Sequence, residues 1–330
     1  MVQNQQSKMN YKIGIIGGGG YTAGELMRLL IHHPQVEIDF VLSNSQAGKA
    51  ISLVHQDLVG ETDLVFTNKM NLGVDVIFIC SGHGFSKTFL AENEIPDNIA
   101  IIDLSRDFRL KEAGNNFVYA LPELQKAAIK ATNRIANPGC FATAIQLALL
   151  PLAANQALKS DIHINAITGS TGAGQQPTAT SHFSWRLNNI SIYKPFTHQH
   201  LGEITQSLTQ LQSDFSSDIN FLPVRGNFAR GIYASVYMKF DESLETAYEW
   251  YNVFYKDAPF TIVTTENPNL KQVVNTNKCI IHLLKHDGKL LIISMIDNLL
   301  KGASGQAVQN MNLVLGLPEK MGLNLKAVYF

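Results

Sequence analysis

The sequence predicts an α/β protein in two parts: a parallel-sheet domain wrapped by helices and an α+β domain with a mixed or antiparallel sheet. The 330 residues exceed what one core of typical size holds. In the first half, short β-branched runs alternate with helical stretches, which is typical of a parallel sheet covered on both faces. Beyond about residue 140, strand-like runs follow one another with fewer helices, which favours antiparallel pairing.

The strands of the first domain are predicted at runs that are apolar at nearly every position. Strands buried on both faces need such runs, whereas strands with one wet face alternate between apolar and polar residues. The next helical stretch after the first strand is GELMRLLIHH. The strand runs are YKIGIIG, VEIDFVLS, TDLVF, VDVIFIC and IAIIDLS.

The second domain is predicted from four further runs, the last two of which form a hairpin. A turn at Asp287 and Gly288 joins those two runs, and this pair of residues favours a tight turn. The final stretch, SGQAVQNMNLVLGL, has apolar residues at helical spacing and is predicted to pack as an amphipathic helix. The four strand runs are IHINAIT, GIYASVYMKF, CIIHLLKHD and LLIISMI.

The composition excludes several classes of protein. Lys and Arg total 26 against 27 Asp and Glu, so the net charge of -1 provides no field that would attract nucleic acid or an anionic membrane. Charged residues make up only 16%, which favours extensive burial and a subunit interface, so we expect a homodimer or homotetramer. The polar N-terminus and the lack of a long apolar run predict a cytoplasmic protein with no membrane span.

A glycine-rich loop follows the first strand and precedes the first helix. It comprises Gly17, Gly18, Gly19 and Gly20, followed by Tyr21 and Thr22. Glycines here allow backbone N–H groups to approach a pyrophosphate on the positive end of the helix. A flexible turn is the alternative, but the strand-loop-helix order favours a Rossmann-like dinucleotide-binding domain.

The end of the second strand favours NADP(H) over NAD as the cofactor. An NAD site usually has a carboxylate there for the ribose hydroxyls, and this chain has none. The residues present are hydroxyl, amide and amine groups that suit a 2'-phosphate, although no Arg is available to clamp it. They are Ser43, Asn44, Ser45 and Lys49.

Cys140 is the candidate nucleophile among three cysteines that form no CxxC pair. It stands in NRIANPGCFATAIQLALLPL, where a strand-like run ends and an apolar helix begins. The first helical N–H groups stabilise a thiolate, so we expect this thiol to gain acidity. Cys80 and Cys279 lie inside strand-like runs and are predicted to be small buried hydrophobes.

The segment IANPGCFATAIQLALLP resembles the cysteine signature of the N-acetyl-gamma-glutamyl-phosphate reductase family, relatives of aspartate-semialdehyde dehydrogenase. GGGGYTAGELMRLL, DLSRDFRL, FTHQHLGEI and DNLLKGASGQAVQNMNL resemble further segments of that family in the correct order. The resemblance implies NADPH-dependent reduction of an acyl phosphate, N-acetyl-glutamyl 5-phosphate, to the semialdehyde in arginine biosynthesis. It also implies an NADP-binding domain over 1–140, completed by a C-terminal helix over 304–330, and a catalytic and dimerisation domain over 141–303.

The chemistry of the residues agrees with this implication. A thiolate at Cys140 would displace phosphate to give a thioester, which accepts hydride more readily than the acyl phosphate does. His200, with His198 as second choice, is the expected acid/base. The same two histidines with Glu203 also look like a short metal-ligand run, but no further ligand cluster stands beside them, so no metal is expected.

The remaining site residues are assigned from their positions and the resemblance. Arg109 lies after the fifth strand run, at the edge where open α/β sheets bind ligands, and is expected to hold the substrate phosphate; the alternative is a surface ion pair. Arg230 is expected to hold a substrate carboxylate, and Arg225 is the weaker candidate. Ser170 is expected to border the substrate. The two further cofactor contacts expected are Gly172 and Asn298.

Four alternatives share some of these features. Aspartate-semialdehyde dehydrogenase and an N-succinyl-glutamyl-phosphate reductase would use the same chemistry on a different substrate. A non-catalytic NADP-binding sensor would keep the glycine loop without using Cys140. A metal-dependent hydrolase would use the His198, His200 and Glu203 run.

Overall fold

The computed structural model describes residues 10–329. Most of the polar N-terminal stretch on which the cytoplasmic prediction partly rests therefore lies outside the described residues. The first domain contains a six-stranded sheet in which every pairing is parallel, in the order β2-β1-β3-β4-β6-β5. Its strands are β1 (Tyr11–Ile16), β2 (Val36–Leu42), β3 (Val76–Ile79), β4 (Ala100–Asp103), β5 (Val118–Tyr119) and β6 (Arg134–Ala136).

From residue 10 onward, the helices of this domain are α1 (Tyr21–Leu30), α2 (Phe85–Glu92) and α3 (Pro122–Lys130). The apolar positions of α1 recur every three or four residues, so Ala23, Met27 and Leu30 share the face that enters the core. β3 and β4 are buried at every position, as their apolar runs predict.

The run TDLVF does not form a strand, and that prediction was wrong. Residues 50–67 make two isolated bridges, Ala50 with Val65 and Leu42 with Thr67. Within the run, Phe66 is buried and Val65 is exposed. A run that buries a single large side chain gains too little to be held between two neighbouring strands.

The second domain contains a seven-stranded mixed sheet in the order β11-β12-β13-β10-β7-β9-β8. β7 and β9 pair in parallel, as do β11 and β12, and the other pairs are antiparallel. Asp287 and Gly288 form the predicted hairpin turn with φ of 44° and 69°, a left-handed conformation that suits this residue pair. The strands are β7 (Ile162–Thr168), β8 (Ser191–Ile192), β9 (Ile219–Arg225), β10 (Ile232–Lys239), β11 (Thr261–Thr264), β12 (Cys279–His286) and β13 (Lys289–Ile296).

The helices of this domain are α4 (Cys140–Ala154), α5 (Phe183–Arg186), α6 (His200–Leu211) and α7 (Leu244–Tyr255). α4 is buried all round, because Phe141–Ala153 contain no charged residue and every one of them is enclosed. α4, α6 and α7 pack in one core with the inward side chains of the sheet. The first residue of the most buried helix is therefore Cys140.

A C-terminal helix returns to the first domain. α8 (Gly305–Val314) continues a π-helical turn over Leu300–Ser304 and packs with α1 in the core of the first sheet. The predicted helix over 304–330 is too long, because Gly316 adopts a φ of 68° and the Leu317 N–H bonds back to the Asn312 carbonyl at 2.8 Å. This left-handed glycine arrangement ends helices.

Within residues 10–329, none of the helices combines the length and the apolar character needed to cross a membrane.

Candidate active site

One cavity of about 620 Å³ is lined by both domains. The first domain contributes the end of its glycine loop, and the second contributes the start of α4, the loop after β7 and the segment before α6. Asn298, just before the π-helical turn, and Gly302, within that turn, complete the wall. Lining residues include Gly20, Tyr21, Thr22, Cys140, Gly172, Tyr193, Lys194, His198, His200, Arg225 and Asn298.

The four glycines of the loop have two different tasks. The N–H groups of Gly17 and Gly18 both donate to the Leu42 carbonyl at 3.0 Å, so they are not available to a ligand. Gly17 has a φ of 82°, and a Cβ there would lie 2.4 Å from the Ser81 hydroxyl oxygen. These two glycines shape the turn, which corrects their expected role as direct pyrophosphate contacts.

Gly19 and Gly20 form the open part of the loop. A Cβ on Gly20 would meet nothing within 4 Å, and one on Gly19 would meet only the Ser43 hydroxyl at 3.9 Å. Gly20 is the N-cap of α1 and has no side chain to satisfy the first helical N–H groups. An open helix N-terminus edged by glycine fits a pyrophosphate.

The turn after β2 lies beside this loop and contains the predicted 2'-phosphate residues. Ser43 is half-buried and donates its backbone N–H to Thr67, whereas Asn44 and Ser45 are exposed. The Lys49 amine is exposed and donates to the Gln46 side chain at 3.0 Å. These groups stand outside the Cys140 cavity but next to the glycine loop.

Cys140 is the first residue of α4, with Gly139 as N-cap. Burial raises the pKa of the Cys140 thiol to about 11, outweighing the stabilising effects of the Phe141 N–H and the Arg109 charge. The expectation that the helix terminus alone would make this thiol acidic was therefore wrong for the resting protein. The backbone of Gly302 approaches closely, since a Cβ there would lie 2.7 Å from the Cys140 Cβ.

The two predicted histidines lie beside the start of α4. The Nδ1 atom of His200 accepts the Ala142 N–H at 3.3 Å, and Nδ1 of His198 accepts the His200 N–H at 3.2 Å. Burial lowers the pKa of His200 well below its usual value and that of His198 to about 3. A neutral thiol thus faces the same cavity as two neutral imidazoles.

Glu203 holds this assembly together, a role that the sequence did not reveal. One oxygen, Oε1, lies 3.1 Å from the Arg109 guanidinium, and the other, Oε2, accepts the Gly139 N–H at 2.9 Å and the Tyr119 hydroxyl at 3.0 Å. The sequence offered one signal of this role, which is that Glu203 follows His200 by three residues, about one helical turn.

Arg109 does not hold an open phosphate site in this structure. Its guanidinium is buried and donates to the Asn137 carbonyl at 2.8 Å, the Leu104 carbonyl at 2.9 Å and Glu203. The predicted position at the carboxyl edge of the sheet is right, but the side chain turns under the cysteine loop. It braces the loop that carries Cys140, and the alternative of a surface ion pair is also wrong.

Arg230 is likewise committed to the protein. It pairs with Glu25 of α1, and it also contacts Asp297, whose Oδ2 lies 3.0 Å from the Arg230 Nε. The arginine in the cavity is Arg225, which stacks over the Tyr193 ring at 4.7 Å and has a buried Nε atom without a hydrogen-bond partner. The weaker sequence candidate is therefore the one positioned to meet a ligand.

The loop after β7 lies against Asn298. The Asn298 carbonyl oxygen accepts the Gly231 N–H at 2.7 Å, and its amide nitrogen donates to the Thr171 hydroxyl at 3.0 Å. Gly172 lines the cavity, whereas Ser170 stands just behind it and donates its N–H to Phe228. Asn298 was expected to contact the cofactor through its side-chain amide. In this structure the same amide group holds the loop in place.

Burial and contacts also decide the roles of the other two cysteines and of the suspected metal-ligand run. Cys80 and Cys279 are buried, as predicted, and burial raises the pKa of Cys279 to about 12. Across residues 10–329, no three His, Cys, Asp or Glu side chains are arranged to hold a metal ion. Glu203 of the suspected ligand run is instead paired with Arg109.

The fold and the site define a class of protein. Residues 12–132 match the family model described as the NAD binding domain of semialdehyde dehydrogenase, and residues 140–298 match its dimerisation domain. The structure resembles aspartate semialdehyde dehydrogenase II of Vibrio cholerae with a TM-score of 0.71 at 16% identity, covering 93% of this chain and 99% of that one. The molecule has the fold of the semialdehyde dehydrogenases, and the predictions of fold class and of a nicotinamide cofactor are confirmed.

Curated relatives narrow the class. The chain is 62% identical to the N-acetyl-gamma-glutamyl-phosphate reductase of Christiangramia forsetii over 96% of its length and 99% of that protein. It is 60% identical to the reductase of the same name from Parabacteroides distasonis, over 97% of this chain and 99% of that one. The chain belongs to the N-acetyl-gamma-glutamyl-phosphate reductase family, as the sequence motifs indicate.

Proposed function

We propose that this protein catalyses the NADPH-dependent reduction of N-acetyl-L-glutamyl 5-phosphate to N-acetyl-L-glutamate 5-semialdehyde and phosphate, in arginine biosynthesis. The observation that carries the proposal is one cavity lined by Cys140, by both histidines and by the open end of the glycine loop. A nucleophile, an acid/base and a cofactor site are thereby brought within reach of one small substrate. The names of the relatives support the substrate.

The reaction begins at the Cys140 sulfur. As the sulfur attacks the acyl carbon, the Nδ1 atom of neutral His200 releases the Ala142 N–H and accepts the thiol proton, and the bond from carbon to the phosphate oxygen breaks, which leaves a thioester. The dinucleotide, when bound, supplies the hydride that reduces this thioester. As the reduced adduct collapses and its C–S bond breaks, His200 returns the proton to the sulfur and the aldehyde leaves.

A neutral thiol at Cys140 and a neutral imidazole at His200 suit this order of reaction steps. A buried thiolate would need a charged partner, and burial disfavours both charged forms. The proton moves only when the substrate is present to receive the sulfur. Glu203, beneath the Gly139 N–H, keeps the start of α4 fixed while it does so.

Lys194 and Arg225 supply positive charge to the cavity wall. The substrate carries a phosphate and a carboxylate, and a guanidinium offers paired donors to either group. Arg225 is the stronger candidate, because the Lys194 amine already donates to the Gln199 side chain at 3.2 Å. Arg225→Gln should therefore raise the KM of the acyl substrate while the affinity for NADPH stays unchanged.

The proposal also includes a preference for NADPH over NADH and an assembly of two or four subunits. The turn after β2 has hydroxyls and Lys49 where an acid would favour NAD, so NADPH should bind more tightly than NADH. A homodimer or homotetramer in the cytoplasm is proposed, since the second domain matches a dimerisation domain and the sequence is poor in charge.

The test runs the reaction in reverse. Purified protein is mixed with NADP, phosphate and N-acetyl-glutamate semialdehyde, and the absorbance of NADPH is followed. Parallel reactions use the N-succinyl analogue and aspartate semialdehyde, and we expect the highest kcat/KM with the N-acetyl substrate. A folded protein that binds NADP and turns over none of the three would reject the proposal in favour of a cofactor-binding sensor.

A further inference from the structure

The substrate phosphate needs a binding residue other than Arg109, whose guanidinium is committed to the protein. Lys194 and Arg225 in the cavity wall both belong to the second domain. The first domain also contributes to this wall through the loop 81–83, which follows β3. The longest side chain of that loop is His83, a residue that the sequence did not single out.

The His83 ring lies on the Cys140 side of the loop rather than on the side of the glycine loop. β3 has β1 as one neighbour and β4 as the other. The glycine loop follows β1, whereas Cys140 follows β6, the next strand beyond β4. The His83 Nδ1 atom accepts the backbone N–H of Arg106, just after β4, at 3.3 Å. The ring is therefore drawn toward the nucleophile and away from the glycine loop.

Electrostatic contacts place the His83 ring in the same cluster as the acid/base His200. Partial burial lowers the pKa of His83, and the charges of Arg109 and Arg106 lower it further. Burial also lowers the pKa of His200, with Arg109 and then His83 next in effect. Two neutral imidazoles, His83 and His200, therefore lie close together beside the start of α4.

Hydrogen bonding fixes which nitrogen of the His83 ring carries the proton. A backbone N–H can only donate, so Nδ1 is the acceptor and the proton of the neutral ring is on Nε2. In the part of the chain that the structure describes, Nε2 has no hydrogen-bond partner, and the residue is exposed in the cavity wall. His83 thus offers one N–H donor to a ligand in the cavity.

Asp107 holds the loop that carries this donor. Its carboxylate accepts three backbone N–H groups at the start of α2, those of Gly84 at 2.7 Å, Ser86 at 3.1 Å and Lys87 at 3.3 Å. These bonds tie the His83 loop to the segment after β4 from the other end. A donor that the protein already holds in place needs no rearrangement when negative charge develops in front of it.

The surroundings of His83 suit an anion. Arg106 is exposed, and among residues 10–329 its guanidinium has no ion-pair or hydrogen-bond partner. The two carboxylates whose charges also reach His83 are engaged, Asp107 with α2 and Glu203 with Arg109. An anion at His83 would therefore meet hydrogen-bond donors, and the carboxylate oxygens nearby already have partners.

We propose that His83 binds the phosphate group of the acyl substrate, and the phosphate that is released, through its Nε2–H donor. This assignment rests on the proposed function. While the Cys140 sulfur attacks, His200 accepts the thiol proton and is not a donor to the departing phosphate. His83 supplies that hydrogen bond and keeps its own proton, which leaves Arg225 for the substrate carboxylate.

The reverse reaction tests the proposal, because inorganic phosphate is then a separate substrate with its own KM. His83→Leu should raise the KM for phosphate roughly 10- to 100-fold, as loss of a hydrogen bond to a charged group does. The KM for N-acetyl-glutamate semialdehyde and the Kd for NADP should stay within about twofold of the wild-type values. His83→Gln, which keeps an N–H donor near the position of Nε2, should restore most of the phosphate affinity.

The matched control is His286→Leu, at a histidine whose side chain is 92% exposed on the β12–β13 hairpin. It should leave the two KM values and the Kd unchanged. Circular dichroism confirms that each variant is folded.

A second measurement does not depend on turnover. Iodoacetamide alkylates the Cys140 sulfur, and inorganic phosphate bound beside it should slow this reaction, as followed by mass analysis of the Cys140 peptide. The phosphate concentration that gives half-protection should rise in His83→Leu by the same factor as the KM.

Three results would overturn the proposal. An unchanged phosphate KM in folded His83→Leu would show that the phosphate binds elsewhere. A rise confined to the semialdehyde KM would assign His83 to the carboxylate end of the substrate, and a rise confined to the Kd for NADP would assign it to the cofactor. Failure of the proposed function is recognised separately, because the wild type would then turn over no semialdehyde while protection of Cys140 by phosphate is still measured.

Discussion

α1 and α4 begin in the same way and end up in different surroundings. Each follows a parallel strand, and each has a glycine N-cap without a side-chain bond, Gly20 for α1 and Gly139 for α4. A Cβ on Gly20 would meet nothing within 4 Å, whereas one on Gly139 would lie 2.4 Å from the His200 Nε2 atom.

The difference teaches how one local device serves two purposes. At α1 the first N–H groups face an open cavity and suit an anion supplied from outside. At α4 the Gly139 N–H is bound by Glu203 and the Ala142 N–H by His200, so the helix end is enclosed by the protein's own buried groups. The open end suits a cofactor, and the enclosed end fixes a nucleophile.

The largest effect that separates the two ends is expected from Cys140→Ser. The hydroxyl is a far weaker nucleophile, so kcat should fall by roughly 10⁴-fold or more. NADPH binds at the other helix, and its Kd, measured by fluorescence titration, should remain within about twofold of the wild-type value if the two ends are independent. A variant that keeps substantial kcat would rule out the thioester.

The glycine loop and Cys140 were predictable because their signals are local. A glycine is needed where the backbone turns tightly, as at Gly17 with its φ of 82°, and a cysteine at a helix start stands out in the sequence itself. The alternating strands and helices placed both groups at the same edge of the sheet.

The arginines were not predictable in this way, because the partner of an arginine is set by tertiary contacts. Arg109 meets Glu203 at a separation of 94 residues, and Arg230 meets Glu25 at a separation of 205. Composition and spacing carry no information about such pairs. The prediction of an acidic Cys140 thiol failed for the same reason, because the burial that raises its pKa comes from elements far apart in the chain.

Glu203→Gln tests the enclosure of α4. The variant leaves the buried Arg109 guanidinium without its charged partner, and breaking such a pair costs about 3–5 kcal/mol of unfolding free energy. Urea denaturation measures the loss. Glu112→Gln removes an exposed ion pair with Lys87 and should cost less than about 1 kcal/mol. Equal losses of unfolding free energy in the two variants would mean that the buried Glu203 network stabilises the protein no more than an exposed ion pair does.

A pair of alanine substitutions compares the two N-caps directly. Gly139→Ala forces His200 and Arg109 to move and should lower the unfolding free energy by about 1–3 kcal/mol. Gly20→Ala meets no neighbour, so its stability should change by less than about 1 kcal/mol while the Kd for NADPH rises. Thermal unfolding and cofactor titration of both variants give the comparison. If Gly20→Ala proved the more destabilising, the contrast between open and enclosed ends would be wrong.

The enclosed end also makes the stability of the protein depend on pH. Burial lowers the pKa of His198 to about 3, so the folded protein keeps this ring neutral while the unfolded chain takes up a proton below about pH 6.5. The stability that His198 contributes is therefore fully present above about pH 6.5 and is lost as the pH falls toward about 3, by about 1.4 kcal/mol per pH unit. His200, whose pKa is also lowered, adds to the same slope of unfolding free energy against pH.

Urea unfolding between pH 7 and pH 5 measures this slope. His198→Asn, which keeps an acceptor for the His200 N–H, should reduce the slope by about one proton. An unchanged slope in that variant would show that His198 is already charged in the folded protein and that the start of α4 is more open to water than its contacts indicate.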